Sequence, residues 1–463
     1  MVATISMRTV LLEQGERTRR STKADIERLI DDSESKITSL ESQINALVEL
    51  RDRERACVAA LRHLISPIHA LPVELLAEMF ELAIREYTHV DDVCRVAQVC
   101  SRWRQVAHST PRLWTRPVEI KLRRCNGQAY VDALTAWLAR SAPLTVPVTL
   151  VLGYNFINHI PDEILRTCPR WRSLRLEVPD STPLSSFVSQ LTDFGKFDNL
   201  EELDLGTGEE DDPVTFISFT TAPRLRKLTT TIFSSAISIL VPWAQLTDLS
   251  LTSYFFNTTL NILAQCPSLV KAAIRTIGWH IFPETRQGIT LSHLHALSLS
   301  FLPESNRDAM QLLDRMSTPA LEDLCLDFDS MDVDVAWTQA HLTSFQLRAP
   351  NVTQLTLKSS PLTSDDLRTA LRYAPSLTHL KIIDCFHCID DALIVALHYK
   401  AGVSPLAPHL HNLLLHDIGD IYTGDILVGM IASRWCTDAE LASRPVARWT
   451  RVQLSGDCRY FCA

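Results

Sequence analysis

Cysteines near the C-terminus have the spacing of a possible metal site. Cys385 and Cys388 form a C-x-x-C pair, and Cys458 and Cys462 would bring the number of thiolate ligands to four. Four thiolates suit Zn²⁺. The two pairs lie about 70 residues apart, however, much farther than the ligand pairs of compact zinc modules. We therefore predict structural cysteines and no metal site.

An acidic run offers a second candidate, either for cation binding or for a phosphatase-like aspartate loop. Asp327, Asp329, Asp332 and Asp334 lie within "DFDSMDVDVAW". The run has no glycine to support a tight ligand loop, and Asp327 ends a predicted strand. The sequence therefore predicts a solvated loop.

Histidines and catalytic motifs give no stronger case for chemistry. His409, His411 and His416 lack the helix spacing of a metal-binding pair. The sequence contains no G-x-S-x-G, no H-E-x-x-H and no P-loop, and its 13 glycines leave few positions for phosphate-cradling loops. We predict that the chain is not an enzyme and needs no cofactor.

The overall composition is that of an ordinary folded protein, with 46% hydrophobic and 21% charged residues in 463. The formal net charge of -9 provides no basic field for nucleic acid or anionic lipid. No apolar run approaches the roughly 20 residues that span a bilayer, and no secretory signal opens the chain. We expect a cytoplasmic and/or nuclear protein with scattered, reduced cysteines, and with neither nucleic acid nor membrane as a partner.

The elements that would position any functional site begin with a long helix. Residues 1–24 show no period and are predicted to be disordered. Over residues 25–64 apolar residues recur in heptads, interrupted by Arg51 and Glu54. One heptad position holds Ile30, Ile37, Ile44 and Val58, and the other holds Ile26, Leu40, Leu47 and Leu61. This coiled-coil-like pattern favours either self-association through residues 26–61 or an amphipathic helix lying on its own protein.

A compact group of short helices is predicted over residues 65–117, after Pro67 and Pro72 end the long helix. Apolar residues from Leu75 to Phe80 recur at helical spacing, and "VDDVCRVAQVCSRWRQVAHS" is predicted to form one further helix. A unit of about 50 residues is small for an independent core. Its large apolar residues exceed what short helices can bury, which indicates a partner surface.

This segment resembles an F-box. The resemblance rests on "LPVELL", "MF", "VCSRWR" and "LW", which follow the order and spacing of that family's motifs. F-box proteins dock onto a Skp-type adaptor attached to a cullin-based ubiquitin ligase, so the resemblance implies an adaptor and, through it, a cullin as partners. Intramolecular core remains the alternative for each implied contact residue. The implied residues are Leu71, Pro72, Leu75, Leu76, Phe80, Val99, Cys100, Trp103 and Trp114.

From residue 118 to residue 463 a short phrase keeps returning. "FDNLEELDLG", "WAQLTDLSLTS", "APNVTQLTLKSS" and "APSLTHLKIIDC" share an L-x-x-L-x-L skeleton, with copies mostly about 21 to 33 residues apart. This pattern resembles an irregular leucine-rich-repeat array. The predicted fold class is α/β: an N-terminal coiled-coil helix, a small all-α F-box domain, then a solenoid with parallel strands on the concave face and helices outside. In one repeat "HLTSFQLRAP" competes with its neighbour for the strand.

Residues beside the repeat leucines are expected to face away from the buried side, because side chains alternate along a strand. For any one of them a solvated strand residue is the plainer interpretation. As a set they form a predicted target-binding surface, made of Glu202, Asp204, Asp248, Asp323, Asp327, Lys358, His379, Lys381 and His416.

A docking module followed by a repeat surface is the architecture of a substrate receptor. The F-box end would bind a Skp/cullin-type ligase, and the repeats would select an unknown protein substrate for ubiquitination. The alternative is a coiled-coil scaffold that acts in protein assembly outside the ligase, because a minimal receptor does not need the heptad helix.

Overall fold

A computed structural model describes sixteen stretches of the chain and divides it into two compact units, up to Met79 and from Phe80 onward. The predicted disorder of residues 1–24 falls, apart from the last two residues, outside the described stretches. These are 23–85, 89–122, 128–152, 160–177, 190–191, 196–206, 217–232, 239–253, 255–276, 288–301, 309–328, 337–400, 403, 405–419, 421–435 and 446–455.

The first element is one long helix, α1 (Lys23–Leu64). Its 42 residues include no Gly or Pro, and at 1.5 Å per residue the helix is about 63 Å long. Ion pairs one turn apart, such as Lys36 Nζ with Asp32 Oδ2 (2.6 Å), support it. The prediction of a long N-terminal helix is confirmed.

The chain then turns through a 3-10 segment (Pro67–Ala70) into α2 (Val73–Ala83). Pro72 directly precedes α2, and its carbonyl accepts a hydrogen bond from Leu76 N (3.1 Å). Proline is tolerated there because the first amides of a helix have no partners within it. Among the described residues no single helix is long and apolar enough to cross a bilayer, and the bent pair Lys23–Ala70 with Val73–Ala83 meets that test by length and composition only.

The single helix predicted over residues 90–109 is wrong, because the structure has two helices, α3 (His89–Val99) and α4 (Ser101–Ser109). Cys100 lies between them in an extended conformation (φ -157°, ψ 170°). Its Sγ accepts a hydrogen bond from Trp103 N (3.4 Å). The thiol thus takes the N-cap role that Ser, Thr, Asp or Asn usually fills, so the residue type did not reveal the break.

The remainder of the chain is built around a large parallel sheet. In the described stretches it has thirteen strands that lie side by side in chain order. This confirms a mixed α/β chain with a large parallel sheet. The strands are β1 (Val118–Leu122), β2 (Val146–Leu152), β3 (Trp171–Glu177), β4 (Glu202–Asp204), β5 (Lys227–Ile232), β6 (Asp248–Ser253), β7 (Lys271–Thr276), β8 (Ala296–Phe301), β9 (Asp323–Asp327), β10 (Gln354–Lys358), β11 (His379–Ile383), β12 (Asn412–His416) and β13 (Arg451–Ser455).

Helical segments lie in most connections between successive strands, whereas the described parts of the β4–β5 and β7–β8 connections contain a short strand and no helix. The α-helices are α5 (Gln128–Arg140), α6 (Asp162–Leu165), α7 (Phe256–Ala264), α8 (Leu312–Arg315), α9 (Gln339–Arg348), α10 (Ser364–Arg372), α11 (Asp391–Leu397) and α12 (Gly424–Ser433). The 3-10 turns are Pro111–Trp114, Cys168–Arg170, Trp243–Gln245 and Ala309–Gln311. Two short parallel pairs lie outside the main sheet, Ile217–Ser218 with Ile239–Leu240 and Ile289–Thr290 with Met316–Ser317.

The repeat leucines form the core beneath the sheet. Leu228, Leu249 and Leu297 lie in one register row, and each is at most 2% exposed. The alternation of buried and half-buried residues along β6 is the period-2 pattern of a strand with one covered face. The competing strand in "HLTSFQLRAP" is wrong, because those residues lie in α9 and at its end, and β10 follows it.

A buried arginine links the last repeats. Arg434 is 0% exposed, and its guanidinium donates hydrogen bonds to the carbonyls of Leu406 (3.0 Å), Ala407 (3.1 Å) and Leu410 (3.3 Å). It also lies 5.2 Å from the Trp449 ring centroid. Burial lowers the pKa of Arg434 to about 10, so the group stays charged at neutral pH. Carbonyl dipoles and an aromatic face stabilise the charge, although the Nε of the guanidinium has no hydrogen-bond partner among the described residues.

Two earlier arginines make the same kind of link. Arg170 donates to the carbonyls of Leu138 (2.5 Å) and Leu144 (3.2 Å). Arg348 donates to the carbonyl of Leu313 (2.7 Å) at the end of α8. Each guanidinium therefore adds a hydrogen bond from its own repeat to backbone carbonyls of the preceding one.

Candidate functional site

The first half of the predicted adaptor surface lies on α2 and the turn before it, within the unit up to residue 79. Leu71 is half-buried and Pro72 is exposed. Leu75 is 47% exposed, whereas Leu76 is fully buried. Met79, one helical turn after Leu75, is 45% exposed. With Val73, which is 50% exposed, this helix therefore keeps three large apolar side chains at the surface before residue 80.

The second half begins at Phe80, in the unit that follows. Phe80 is 3% exposed and packs on Trp103, with ring centroids 4.9 Å apart. Trp103 is half-buried, and the Cys100 thiol caps the helix that carries it. Val99, in contrast, is 57% exposed, and Leu82, which the sequence analysis did not select, is 88% exposed. Two further apolar side chains thus remain at the surface.

Trp114, the last residue of the predicted adaptor set, belongs to the core. It is 1% exposed, and its Nε1 donates a 2.7 Å hydrogen bond to a backbone carbonyl of α4. Its ring meets Trp137 edge-on at 4.7 Å, and the Arg140 guanidinium lies 4.7 Å from the ring centroid. Intramolecular packing, the alternative for every residue of this set, therefore describes Leu76, Phe80 and Trp114.

The residues predicted to bind a target all lie on one side of the sheet. We call this side the polar face; it carries the residues that alternate with the buried leucines, and every predicted residue on it is exposed or half-buried. Strand register arranges them in three rows. The first row holds Glu202, Asp248, Asp323 and His379, the second Asp204 and Lys381, and the third Asp327, Lys358 and His416.

Ion pairs between neighbouring strands neutralise part of the polar face. Such exposed pairs contribute only about 0–1 kcal/mol each to stability. Because these ion pairs are weak, a bound protein could replace them with ion pairs to its own charged side chains at little cost in stability. The pairs are Lys227 Nζ with Glu202 Oε2 (3.5 Å), Arg175 Nε with Asp204 Oδ2 (3.6 Å) and Lys358 Nζ with Asp327 Oδ2 (3.6 Å).

His379 lies in a tight polar cluster on this face. Its Nδ1 is 2.8 Å from Thr378 Oγ1, its Nε2 is 2.5 Å from Asn412 Nδ2, and its ring meets that of His411 at 5.1 Å. Burial lowers the pKa of His379, and the neighbouring His411 and Lys381 lower it further. A neutral imidazole that accepts the Asn412 hydrogen bond fits this arrangement.

A shallow depression of about 260 Å³ lies on the polar face across β5 to β9. Lys227, Asp248, Lys271 and Asp323 line one side of it. The floor was not among the predicted residues, which were all charged or histidine, although the small residue between the two leucines of the repeat phrase marks it. The floor is a single register row of small side chains, Thr229, Ser250, Ala273, Ser298 and Cys325.

The Cys385–Cys388 pair lies in the core, and both side chains are 0% exposed. Cys385 Sγ accepts a hydrogen bond from Ser360 N (3.3 Å), and Cys388 Sγ donates to the Cys385 carbonyl (3.3 Å). A hydrogen bond with the Cys385 side chain and burial raise the pKa of Cys388, which keeps that thiol protonated. These contacts suit structural cysteines. Cys458 and Cys462 lie outside the described residues.

Within the described stretches one group of side chains lies close enough together to hold a metal ion. Ligand atoms of Asp384, His416 and Asp417 are all within 4.8 Å of one another. His416 also bonds through Nδ1 to Ser455 Oγ (2.9 Å). The sequence did not reveal this group because its members lie at the ends of two successive strands, β11 and β12, which end more than 30 residues apart. Nothing besides the cluster indicates a ligand, so we assign no metal site to it. The acidic positions 329–334 lie outside the described residues.

Comparison with known proteins identifies one domain. Residues 68–119 match the F-box-like family, which confirms the F-box-like domain predicted at 65–117. F-box-like domains commonly bind Skp-type adaptors, so the match indicates an adaptor-binding role in general.

The rest of the chain has only distant likenesses. No curated protein matches the chain. Among solved structures, a Bacteroides fragilis protein is 10% identical with a TM-score of 0.31, and the match covers 73% of this chain and 74% of that chain. The TLR13–ssRNA13 complex is 14% identical with a TM-score of 0.19, and the match covers 64% and 62%. Both TM-scores lie below 0.5, so neither likeness identifies the fold.

Proposed function

We propose that the chain is a substrate-receptor subunit of a Skp/cullin-type ubiquitin ligase. The observation that carries the proposal is the F-box-like domain at residues 68–119. In this proposal the domain binds a Skp-type adaptor, and through it a cullin, in the cytoplasm and/or nucleus. The chain itself contributes no catalytic residue; it raises the rate of ubiquitination by holding the target near the conjugating enzyme.

The adaptor contact is proposed to use the exposed apolar side chains of the domain. Leu75, Met79, Leu82 and Val99 are each 45% or more exposed. Exposed large apolar residues concentrated in a short segment mark protein-binding surfaces. Trp103 has a supporting role, because it packs on Phe80 and joins two helices of the domain.

The region after residue 117 is proposed to be a leucine-rich-repeat solenoid that presents the polar face to the target. Strands in chain order and repeat leucines buried in register rows support this proposal. The shallow depression, with small residues on its floor and charged residues along one side, offers a place for a segment of a protein target. The charged rows beside it would select that segment by its own pattern of charges.

Co-purification tests the proposal directly. We expect the full chain to bring down a Skp-type adaptor and a cullin, and Leu75→Asp to weaken adaptor binding at least about 10-fold because an aspartate cannot enter an apolar contact. The matched control is Leu347→Asp, since Leu347 is 69% exposed on α9, outside the F-box-like segment. Unchanged circular dichroism shows that both variants fold. Failure of the unchanged chain to bind the adaptor overturns the proposal.

A scaffold that assembles proteins outside the ligase is the second candidate function. The observation that favours it is α1, whose apolar residues are exposed along its length. A scaffold would bind its partners without recruiting a cullin. Adaptor binding without cullin recruitment in the same co-purification would therefore favour this candidate over the receptor.

A further inference from the structure

The long helix α1 carries an apolar seam that the described part of the chain leaves largely uncovered. Ile26 is half-buried, and the other apolar heptad residues of this seam are 45–65% exposed. A helix with so narrow an apolar stripe is suited to another helix rather than to a broad protein surface. The exposed seam residues are Ile30, Ile37, Leu40, Ile44, Leu47, Val58 and Leu61.

We propose that α1 pairs with α1 of a second copy of this chain, parallel and in register. One heptad position carries Ile or Val except at Arg51, and the other carries Leu at 40, 47 and 61, a combination that favours two strands in a parallel coiled coil. In this alignment each seam residue meets its own counterpart, so apolar layers extend from Ile26 to Leu61 and are interrupted by Ser33, Arg51 and Glu54. This pairing does not depend on the proposed ligase function.

The two charged seam residues support the same alignment. Arg51 and Glu54 occupy adjacent layers of the seam. In a parallel, in-register pair Arg51 of each copy packs into a space that is lined partly by Glu54 of the other copy. Two equivalent Arg51–Glu54 contacts therefore form, one in each direction. Within the described residues Glu54 has no ion-pair partner of its own. The polar layers therefore become a paired network in the two-chain state.

Other alignments either leave apolar seam residues uncovered or place charged seam residues against apolar ones. A reversed pairing that sets Arg51 opposite the second copy's Glu54 overlaps only residues 41–64 of α1, and it leaves Ile30, Ile37 and Leu40 uncovered. A reversed pairing with longer overlap, or a shift by one heptad, sets charged seam residues against apolar ones. Buried polar positions specify register in this way because a mismatch leaves a charge unpaired.

The flanks of the seam agree with the parallel pairing. Lys36 lies on one side of the seam, just before Ile37, and Glu41 lies on the other side, just after Leu40. In parallel chains such positions, five residues apart, face each other across the two helices, so Lys36 of one copy lies near Glu41 of the other. In the single chain Lys36 pairs with Asp32 (2.6 Å) and Glu41 has no ion-pair partner among the described residues. None of the other flank positions brings like charges together.

Sedimentation equilibrium of the full chain tests the pairing. We expect a mass of twice 52.1 kDa at micromolar concentration, and an association at least about 100-fold weaker in Ile37→Asp/Ile44→Asp, because a carboxylate cannot enter the apolar seam. Ser35→Asp/Ser42→Asp adds the same charge on the opposite side of α1 and should leave the mass unchanged. A monomeric unchanged chain, or a dimer that survives the seam substitutions, overturns the proposal.

Disulfide trapping tests the alignment separately. In a Cys57→Ser/Cys94→Ser background, which removes the two cysteines that are exposed among the described residues, Leu40→Cys places a thiol directly opposite its counterpart only when two helices are parallel and in register. Mild oxidation should therefore give a covalent dimer for Leu40→Cys and none for Ser42→Cys, which lies off the seam. A non-covalent dimer in which Leu40→Cys fails to cross-link overturns the parallel, in-register alignment.

Discussion

The helix α1 and the large sheet use the same apolar side chains with opposite results. In α1, Ile44 is 58% and Leu47 is 65% exposed, whereas Leu249 and Leu355 in the sheet are 2% and 1% exposed. The sheet leucine finds its neighbour in the next repeat of the same chain, while the helix residue finds none. A hydrophobic period thus predicts the type of element, but burial depends on whether the same chain supplies the opposing surface.

The difference should appear in the energetics of the two regions. Burying a leucine side chain contributes about 1.5–3 kcal/mol, and this contribution is available in the sheet. In the single chain α1 depends on helix propensity and ion pairs between turns. Tertiary packing therefore stabilises the sheet region, whereas α1 would gain such packing only from a partner.

Shortening a buried leucine of the sheet should have the largest effect on the free energy of unfolding, and shortening a leucine of α1 should have almost none. Leu357 in β10 is 0% exposed, so Leu357→Ala should lower the free energy of unfolding by about 3 kcal/mol through lost burial and a cavity. Leu40 in α1 is 56% exposed, and Leu40→Ala should change it by less than about 0.5 kcal/mol. Urea unfolding of dilute, monomeric protein measures both changes. Similar losses would show that α1 is packed within the single chain.

Removal of a buried guanidinium should have the next largest effect. Arg434→Met keeps most of the side-chain volume but removes the guanidinium hydrogen bonds to the carbonyls of Leu406, Ala407 and Leu410, which should cost about 2 kcal/mol. Arg451 is exposed, and Arg451→Met is the matched control with little expected effect. Thermal unfolding followed by circular dichroism measures the change. Equal midpoints for the two variants would contradict a role for Arg434 in joining repeats.

The smallest expected effect is a dependence of the folding stability on pH, caused by His379 on the polar face. Burial, His411 and Lys381 hold the pKa of His379 below its ordinary value. The imidazole of His379 therefore binds a proton more strongly in the unfolded chain than in the folded chain. As a result, the stability contributed by neutral His379 is fully present above about pH 6.5 and is lost as the pH falls toward the pKa of His379 in the folded chain.

Urea unfolding at pH 7.5 and pH 5.5 measures this dependence. The unchanged chain should lose more stability between the two pH values than His379→Gln. His409 is exposed, and His409→Gln should keep the dependence of the unchanged chain. If His379→Gln and His409→Gln show the same dependence, the His379 cluster does not provide it.

Much of the fold follows from local patterns in the sequence. Repeats such as "WAQLTDLSLTS" predict β6 because period-2 leucines need a covered face and the phrase returns about every 21 to 33 residues. β1 and β2 were missed because neither carries the repeat phrase. The end of α3 was missed because a cysteine, an unusual cap, begins α4.

The candidate sites were predictable only in part. The motif residues of the F-box-like domain were found by spacing, but spacing does not separate exposed Leu75 from buried Leu76 one residue later. The depression on the polar face was missed because its floor depends on which small residues meet across strands. That register is set by the whole array, whereas a sequence pattern reports one strand at a time.

The strict chain order of the strands has a consequence for how this protein is made. Among the described residues, each strand of the main sheet pairs with the main-sheet strands that precede and follow it along the chain. Each loop closed during folding is therefore short, and no strand waits for a distant partner. A chain emerging from the ribosome can add one repeat at a time onto repeats already formed, so that the growing edge, rather than the whole sheet, is what remains exposed to aggregation during synthesis.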